Sequence, residues 1–404
     1  MAVGHCPFPN MPPLDGVRLG SATAGIKKPG RRDLVVIELP ESTVTAGVFT
    51  RNAFCAAPVT VARAHLAETA SRYWVINTGN ANAGTGQIGR DDAERTCKAL
   101  AEATGVSPGA VLPFSTGVIG EPLPMERLLA GLPAAVEALS DSSEAWRLAG
   151  EGILTTDTRA KGATATGEID GERFCINGIT KGSGMIKPNM ATMLGFLVTD
   201  VRIDQALLQR LLRESTERSF NAITVDSDTS TNDACMLAAT NTGARVESDA
   251  QIAVFRAALD EVMMRLAQSI IRDGEGATKF VTLNVEGALS VEEARDVAFT
   301  VAHSPLVKTA LYASDANWGR ILAAVGRAPV ASFDVDRVVI DLGDVRLIEN
   351  GGRAGSYREE MGSREMAKEE ITIRIDLGRG EHSATVWTSD LSHDYVSINA
   401  DYRS

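Results

Sequence analysis

The chemistry this chain could perform starts at one hydroxyl, Thr192, within KGSGMIKPNMATMLGFLVTD, residues 181 to 200. A threonine hydroxyl is a poor nucleophile until a base sits beside it. One economical base is the threonine's own α-amino group, with a pKa of about 8, which exists only when threonine is the first residue of a chain. An internal threonine reaches that state if the peptide bond before it is cut. Attack of Thr192 Oγ on the carbonyl of Ala191 would turn that amide into an ester, which water then hydrolyses. The glycines of KGSG and Pro188 on one side, and a rigid apolar strand on the other, would supply the tight local geometry. On spacing alone, a single threonine at a strand start is structural.

Other stretches carry reactive groups. In PFSTGVIGEPLP (113 to 124), Ser115, Thr116 and Gly117 follow an apolar strand, and backbone N–H groups at a Thr-Gly step can converge as an oxyanion hole. An ordinary strand-to-loop turn accounts for the same residues. VDSDTSTND (225 to 233) resembles a calcium loop but lacks its central glycine and closing glutamate, so an Asx-rich turn organising a neighbouring loop is the better reading. IRDGEGATKF (271 to 280) follows a long helix. Its Glu275 could meet an ammonium group, and a helix cap with a solvated turn is the plainer alternative. GTGQIG (84 to 89) matches GxGxxG, but it is set off from the preceding strand and no acidic residue ends a second strand at the expected distance. A flexible Asn/Gly-rich turn fits it better than a dinucleotide site.

The elements that must hold these groups follow from periodicity. DLVVIELP (33 to 40), SRYWVINTG (71 to 79), ERFCINGITKGSGMI and ATMLGFLVTD read as strands. Helical patterns run from Arg90 to a stop at Gly105, over 125 to 139 with an interruption at Pro133, over 204 to 220 and over 249 to 271. The last third mixes the strands KFVTLNVEG, RVVIDLGDVRLIENG, EITIRIDLGRG and SATVWTSDLS with the helix VEEARDVAFTVAHS. Alternating and continuous apolar strands, with helices between groups of them, predict an α/β (α+β) layered sandwich of mixed β-sheets covered by helices. No boundary splits the chain cleanly.

The 404 residues, 44% hydrophobic and 23% charged, have the balance of a soluble globular protein, of two or three domains or of one large domain with two lobes. A net charge of −12 argues against nucleic acid or an anionic membrane as main partner, and no apolar run approaches a membrane span. Cys6, Cys55, Cys97, Cys175 and Cys235 are scattered without a CxxC pair, as are the five histidines. This predicts reduced thiols, no zinc site and a cytoplasmic location.

Taken in order, NTGNANAGTG, PFSTGVIGEPLP, ILTTDT, KGSGMIKPNMATML, TVDSDTSTND, RDGEGATKF and DANWGR are far more specific than any one of them. Over nearly the whole chain the sequence resembles the ornithine acetyltransferase family, the bifunctional glutamate N-acetyltransferases of arginine biosynthesis. The resemblance implies a self-cleaved N-terminal-nucleophile enzyme with the ornithine acetyltransferase / DmpA-like fold. The cut would fall between Ala191 and Thr192, giving an α chain of residues 1–191 and a β chain of residues 192–404 that opens with the nucleophile Thr192.

By the same resemblance Thr116 and Gly117 are the oxyanion-hole pair, and Thr155, Lys181, Thr192, Glu275, Asn399 and Ser404 contact substrate. The expected reaction is ping-pong transfer of acetyl from N2-acetylornithine to glutamate, through an acetyl-threonine, with neither metal nor redox cofactor. Lys181, Asn399 and Ser404 would hold the parts the substrates share, and Glu275 the ornithine δ-ammonium. The family suggests an α2β2 heterotetramer. Use of acetyl-CoA as donor is left open, and the alternatives are an N-terminal-threonine aminopeptidase or amidohydrolase of the same fold, or an NAD-binding oxidoreductase built on GTGQIG.

Overall fold

The structure, a computed structural model, describes residues 2–4, 7–26, 29–187 and 193–401. It divides into two compact units. One comprises Pro7–Asn221 and Asp228–Ile270; the other comprises Met1–Cys6, Ala222–Ser227 and Ile271–Ser404.

The larger unit is built on two main sheets. The first orders Arg18–Ala22, Leu34–Glu38, Tyr73–Asn80 and Val111–Val118 side by side. Its last two strands run parallel, so the chain must cross over between them, which it does through the helix Gly86–Thr104. The second sheet has the order Val44–Phe49, Ala234–Ala239, Leu194–Thr199, Glu172–Lys181, Lys161–Ile169. Leu194–Thr199 and Ala234–Ala239 are buried at every residue. A strand covered on both faces has no reason to alternate, hence the unbroken apolar runs LGFLVT and ACMLAA.

One core joins these sheets. Val35, Ile37, Trp74, Ile76 and Phe114 of the first share it with Phe196, Val198, Met236 and Ala238 of the second. The ring of Phe196 lies 5.7 Å from that of Trp74 and 5.0 Å from that of Phe114. On the outer face of the first sheet, Leu34, Val36 and Val75 pack with Cys97 and Leu100 of Gly86–Thr104 and with Leu128 and Leu132 of the helix Met125–Glu137. The second sheet is covered in turn: Leu266 of the helix Asp249–Arg272 lies against Gly178 and Leu197. The helix Gln205–Arg218 starts on Asp204, whose carboxylate accepts the N–H groups of Ala206 and Leu207, and buries Leu208, Leu211, Leu212 and Ser215 along one stripe. The expected layered sandwich is what forms.

The smaller unit holds a seven-stranded sheet in the order Ile223–Thr224, His382–Ser389, Phe280–Ala288, Glu370–Asp376, Val339–Leu342, Val345–Glu349, Gly352–Arg353. Here the alternation is plain: Ile371, Ile373 and Ile375 point into a core with Ala294, Val297, Ala298 and Val301 of the helix Val291–Ala302.

Two expectations need correction. Pro133 does not interrupt its helix, which runs unbroken from Met125 to Glu137; Pro133 sits on the exposed side, where water can take the carbonyl it leaves unpaired. The helix expected from Arg90 begins at Gly86, four residues earlier, and stops as expected at Gly105, with φ +73°.

Candidate active site

Thr116 and Gly117 lie at the end of Val111–Val118, opposite Thr78 and Gly79 of its parallel partner, where the ladder slips register at Asn80. Gly117 has φ +137°, and a Cβ there would lie 2.3 Å from the carbonyl carbon of Gly79 and 2.5 Å from the nitrogen of Asn80. Only glycine fits against that backbone. Thr116 is buried, and Lys181 Nζ donates to its Oγ1 at 3.2 Å. A hydroxyl that accepts from an ammonium group keeps its own proton for a third partner, and the adjacent charge strengthens that donation.

Lys181 closes the strand Glu172–Lys181 and is itself buried. Behind it stands Asp157. Its Oδ1 accepts from Lys161 Nζ at 2.6 Å and from the Gly182 N–H at 2.8 Å, and its Oδ2 accepts from the Thr155 N–H at 3.0 Å. The side chains of Asp157 and Lys161 are 0% exposed, so each depends on the other. Burial alone would push the Asp157 carboxyl up, but Lys161, Lys181 and the Gly182 N–H together hold it well below the usual carboxylate range. The Lys181 ammonium beside Thr116 has the sign that suits an oxyanion or a substrate carboxylate. Thr155 is fixed at both ends, since its carbonyl accepts from Arg31 at 3.1 Å.

The stretch 225 to 233 does organise its neighbours. Asn232 Nδ2 donates to the carbonyls of Ala81, at 2.6 Å, and Ser115, at 2.9 Å, so it clamps the chain directly before Thr116. Thr50 Oγ1 donates to the Ser230 carbonyl at 2.7 Å. Asp233 accepts the Met193 N–H on Oδ1 at 3.1 Å. Met193 is the first described residue after the expected cleavage point.

In the smaller unit Glu275 and Asn399 meet directly: Asn399 Nδ2 donates to Glu275 Oε2 at 2.7 Å. Asp273, Glu275 and Lys279 are buried, so the segment is no solvated turn. Asp390 holds it by accepting the N–H groups of Thr278, at 2.8 Å, and Lys279, at 2.9 Å. Ser392, the N-cap of the helix His393–Ala400 that carries Asn399, donates to the Gly276 carbonyl at 2.6 Å.

The residues singled out in the sequence therefore form two groups, Thr116, Gly117, Thr155 and Lys181 in one unit, Glu275 and Asn399 in the other. Ala191, Thr192 and Ser404 lie outside the described residues, as does Pro188. Asp157, Lys161 and Asp390 were not foreseen, and Asn232 and Asp233 were foreseen only as part of the stretch 225 to 233 expected to organise a neighbouring loop. Asp157 and Lys161 stand at i, i+4 outside any helix, and nothing local marks them as a pair. GTGQIG is not a flexible turn: it enters the helix Gly86–Thr104, and a Cβ on Gly89 would lie 2.5 Å from Asn82 Oδ1, inside the bond by which Thr85 Oγ1 donates to that same oxygen at 2.8 Å. Gly89 leaves room for that bond at the start of the helix. No group of His, Cys, Asp and Glu among the described residues could hold a metal ion, and no described helix is long and apolar enough to cross a membrane.

Comparison with known proteins extends this picture to the whole chain. The model of the ArgJ family matches residues 18–404. The arginine biosynthesis bifunctional protein ArgJ of Pseudomonas fluorescens (strain Pf0-1) is 54% identical over 409 residues, covering 100% of both chains. The protein of the same name from Pseudomonas syringae pv. tomato is 54% identical over 408 residues, again covering 100% of each. Among solved structures, the arginine biosynthesis bifunctional protein argJ from Bacillus halodurans is 37% identical with a TM-score of 0.47, over 50% of this chain and 95% of that one.

Proposed function

The chain belongs to the ArgJ family, and from that membership we infer an acetyltransferase of arginine biosynthesis that moves acetyl from N2-acetylornithine to glutamate. The observation that carries the reading is full-length identity of 54% to bifunctional relatives, together with a buried ammonium, Lys181, bonded to the hydroxyl of Thr116.

In the mechanism proposed, the precursor cuts itself between Ala191 and Thr192, and the freed α-amine deprotonates Thr192 Oγ. That oxygen attacks the acetyl carbonyl of acetylornithine. Thr116 and Gly117 donate to the oxyanion, each such donor being worth about 3 kcal/mol of transition-state stabilisation. Lys181 keeps the Thr116 proton directed at the oxyanion, and Asp157 keeps Lys181 and Thr155 in place. Glu275, oriented by Asn399, receives the δ-ammonium of ornithine; Thr155, Lys181, Asn399 and Ser404 contact the parts that both substrates share. Ornithine leaves, and the amine of glutamate takes acetyl from Thr192. The acyl transfer needs no metal or redox cofactor. The word bifunctional in the relatives' names supports acetyl-CoA as a second donor to glutamate. The proposed form is an α2β2 heterotetramer of cut chains in the cytoplasm.

The test joins intact-mass analysis to an assay. Purified protein should give two polypeptides, of 191 and 404 − 191 = 213 residues, and should convert acetylornithine plus labelled glutamate to labelled N-acetylglutamate. Thr192→Ala should stay uncut and inactive. Release of free acetate alone would make the protein a hydrolase instead, and activity in an intact 404-residue chain would remove Thr192 from its assigned role.

A further inference from the structure

The transfer reaction uses no side chain of NTGNANAGTG, residues 77 to 86, yet Asn77, Asn80 and Asn82 within it are all buried. A buried amide has to find partners for its N–H groups and its carbonyl. These find them around Thr116 and Gly117. Asn80 Nδ2 donates to the carbonyls of Glu121, at 3.2 Å, and Pro122, at 3.0 Å, and its Oδ1 accepts the Asn82 N–H at 2.7 Å. The loop that leaves Gly117 is thereby tied back to the neighbouring strand. Asn82 reaches the other way, donating to the Gly89 carbonyl at 2.8 Å.

Asn77 joins the two strands themselves. Its Nδ2 donates to the Asn80 carbonyl at 2.9 Å, and its Oδ1 accepts from Ser115 Oγ at 2.6 Å. Chemistry fixes which way the amide faces: a main-chain carbonyl can only accept, so the nitrogen turns to Asn80 and the oxygen to the hydroxyl. Ser115 therefore gives its proton to Asn77 and has none to aim at a substrate. Both ends of this bridge matter. Ser115 directly precedes Thr116, and its carbonyl is already held by Asn232. Asn80 supplies backbone on which Gly117 rests, a Cβ there lying 2.5 Å from the Asn80 nitrogen. The bridge also spans the point where the ladder slips register between Gly79 and Asn80. Main-chain bonds lose their regular repeat at such a slip, so a side chain is needed to set the spacing.

We propose that Asn77 is a positioning residue of the oxyanion hole: through Ser115 and Asn80 it fixes where the Thr116 hydroxyl and the Gly117 N–H stand relative to each other. It acts through these neighbours and not on substrate. An oxyanion donor works only within about 3 Å of the place where the charge develops. A displacement of about 1 Å therefore costs on the order of 100-fold in rate. Binding of a ligand that carries no acetyl carbonyl does not feel it.

This inference rests on the acetyltransferase reading, and the experiment tells their failures apart. Asn77→Ala, Ser115→Ala and the double variant are compared with wild type and with Leu128→Ala, which opens the core on the outer face of the same sheet. Each is measured for kcat of acetyl transfer, ornithine affinity by calorimetry, melting temperature, and amide hydrogen exchange over residues 114–120. In both single variants kcat should fall about 10- to 100-fold, with ornithine affinity unchanged and exchange over 114–120 faster. The double variant should lose no more than the worse single, because either change opens the same bridge. Leu128→Ala should lower the melting temperature and keep kcat. Wild-type kcat in either single variant overturns the inference, as do losses that multiply in the double. A kcat that merely tracks melting temperature across the whole set also overturns it, marking a purely structural role. Should Asn77→Ala fail to fold, Ser115→Ala, which removes one oxygen, decides alone. If the wild type transfers no acetyl group, the acetyltransferase reading falls instead. Exchange over 114–120 then judges the bridge, and unchanged exchange in the variants overturns it.

Discussion

At the scale of the residue, the site depends on charges taken out of water and given partners. Asp157, Lys161 and Lys181 are buried charges whose retention requires each partner, and the buried Glu275 accepts from Asn399, which stands at the surface. Glu275 is the one assigned to a substrate cation, so its removal should discriminate between substrates. Glu275→Ala should lower kcat/KM for acetylornithine by about 10- to 100-fold, the worth of a charged hydrogen bond of about 1.5–3 kcal/mol, with a much smaller change in the KM for glutamate. Steady-state kinetics with each substrate varied in turn measures this, and equal losses for both would reject the role. The types of Thr116, Lys181 and Glu275 could be seen in the sequence because each stands in a distinctive motif. Asp157 could not, because its meaning lies in contacts with residues four and more than twenty positions away.

At the scale of the element, position comes from strand ends. Thr116 stands two residues from the end of one strand, Lys181 closes another, and Met193 and Asp233 directly precede two more. A strand inside a packed sheet cannot move, so a group at its end inherits that rigidity while reaching past the ladder. The cost falls on Gly117, the point at which backbone meets backbone. Gly117→Ala should destabilise the fold by at least about 2 kcal/mol through positive φ and overlap with Gly79. It should also lower kcat at least about 100-fold by shifting the oxyanion donor. Thermal melts and turnover of the same preparation check both, and wild-type turnover would show that Gly117 is no donor. Helices were legible from caps and stripes, as at Asp204 and Gly105. The helices Ala57–Glu68 and Ser143–Gly152 were missed: the first buries Ala57, Pro58, Val59, Val61 and Ala62 in its opening half rather than along a repeating stripe, and the second has only ten residues.

At the scale of the whole molecule, a cut before Thr192 would not coincide with the division into units, which falls near residue 270. Residues 192–404 would contribute Leu194–Thr199 and Ala234–Ala239 to the middle of a sheet whose other three strands belong to residues 1–191. Each of these two strands pairs on both sides and shares the core of Trp74 and Phe114. The fragments are therefore expected to co-elute as one species in native size-exclusion chromatography and to separate only in denaturant. Spontaneous separation in native buffer would contradict a shared sheet.

The linear order of residues decided which groups were available: a threonine behind a glycine-rich turn, a Thr-Gly step after an apolar strand, an acid at a glycine-flanked loop. Those are local properties, fixed by residue type and by neighbours a few positions away. Only the folded chain decided that Lys181 would bond to Thr116, sixty-five residues distant, that Asn232 would clamp Ser115, and that Asp233 would be sealed from water beside Met193. Pairing across a sheet brings together residues of any separation, and burial, which sets whether a carboxyl holds its proton, belongs to the packed interior rather than to the residue.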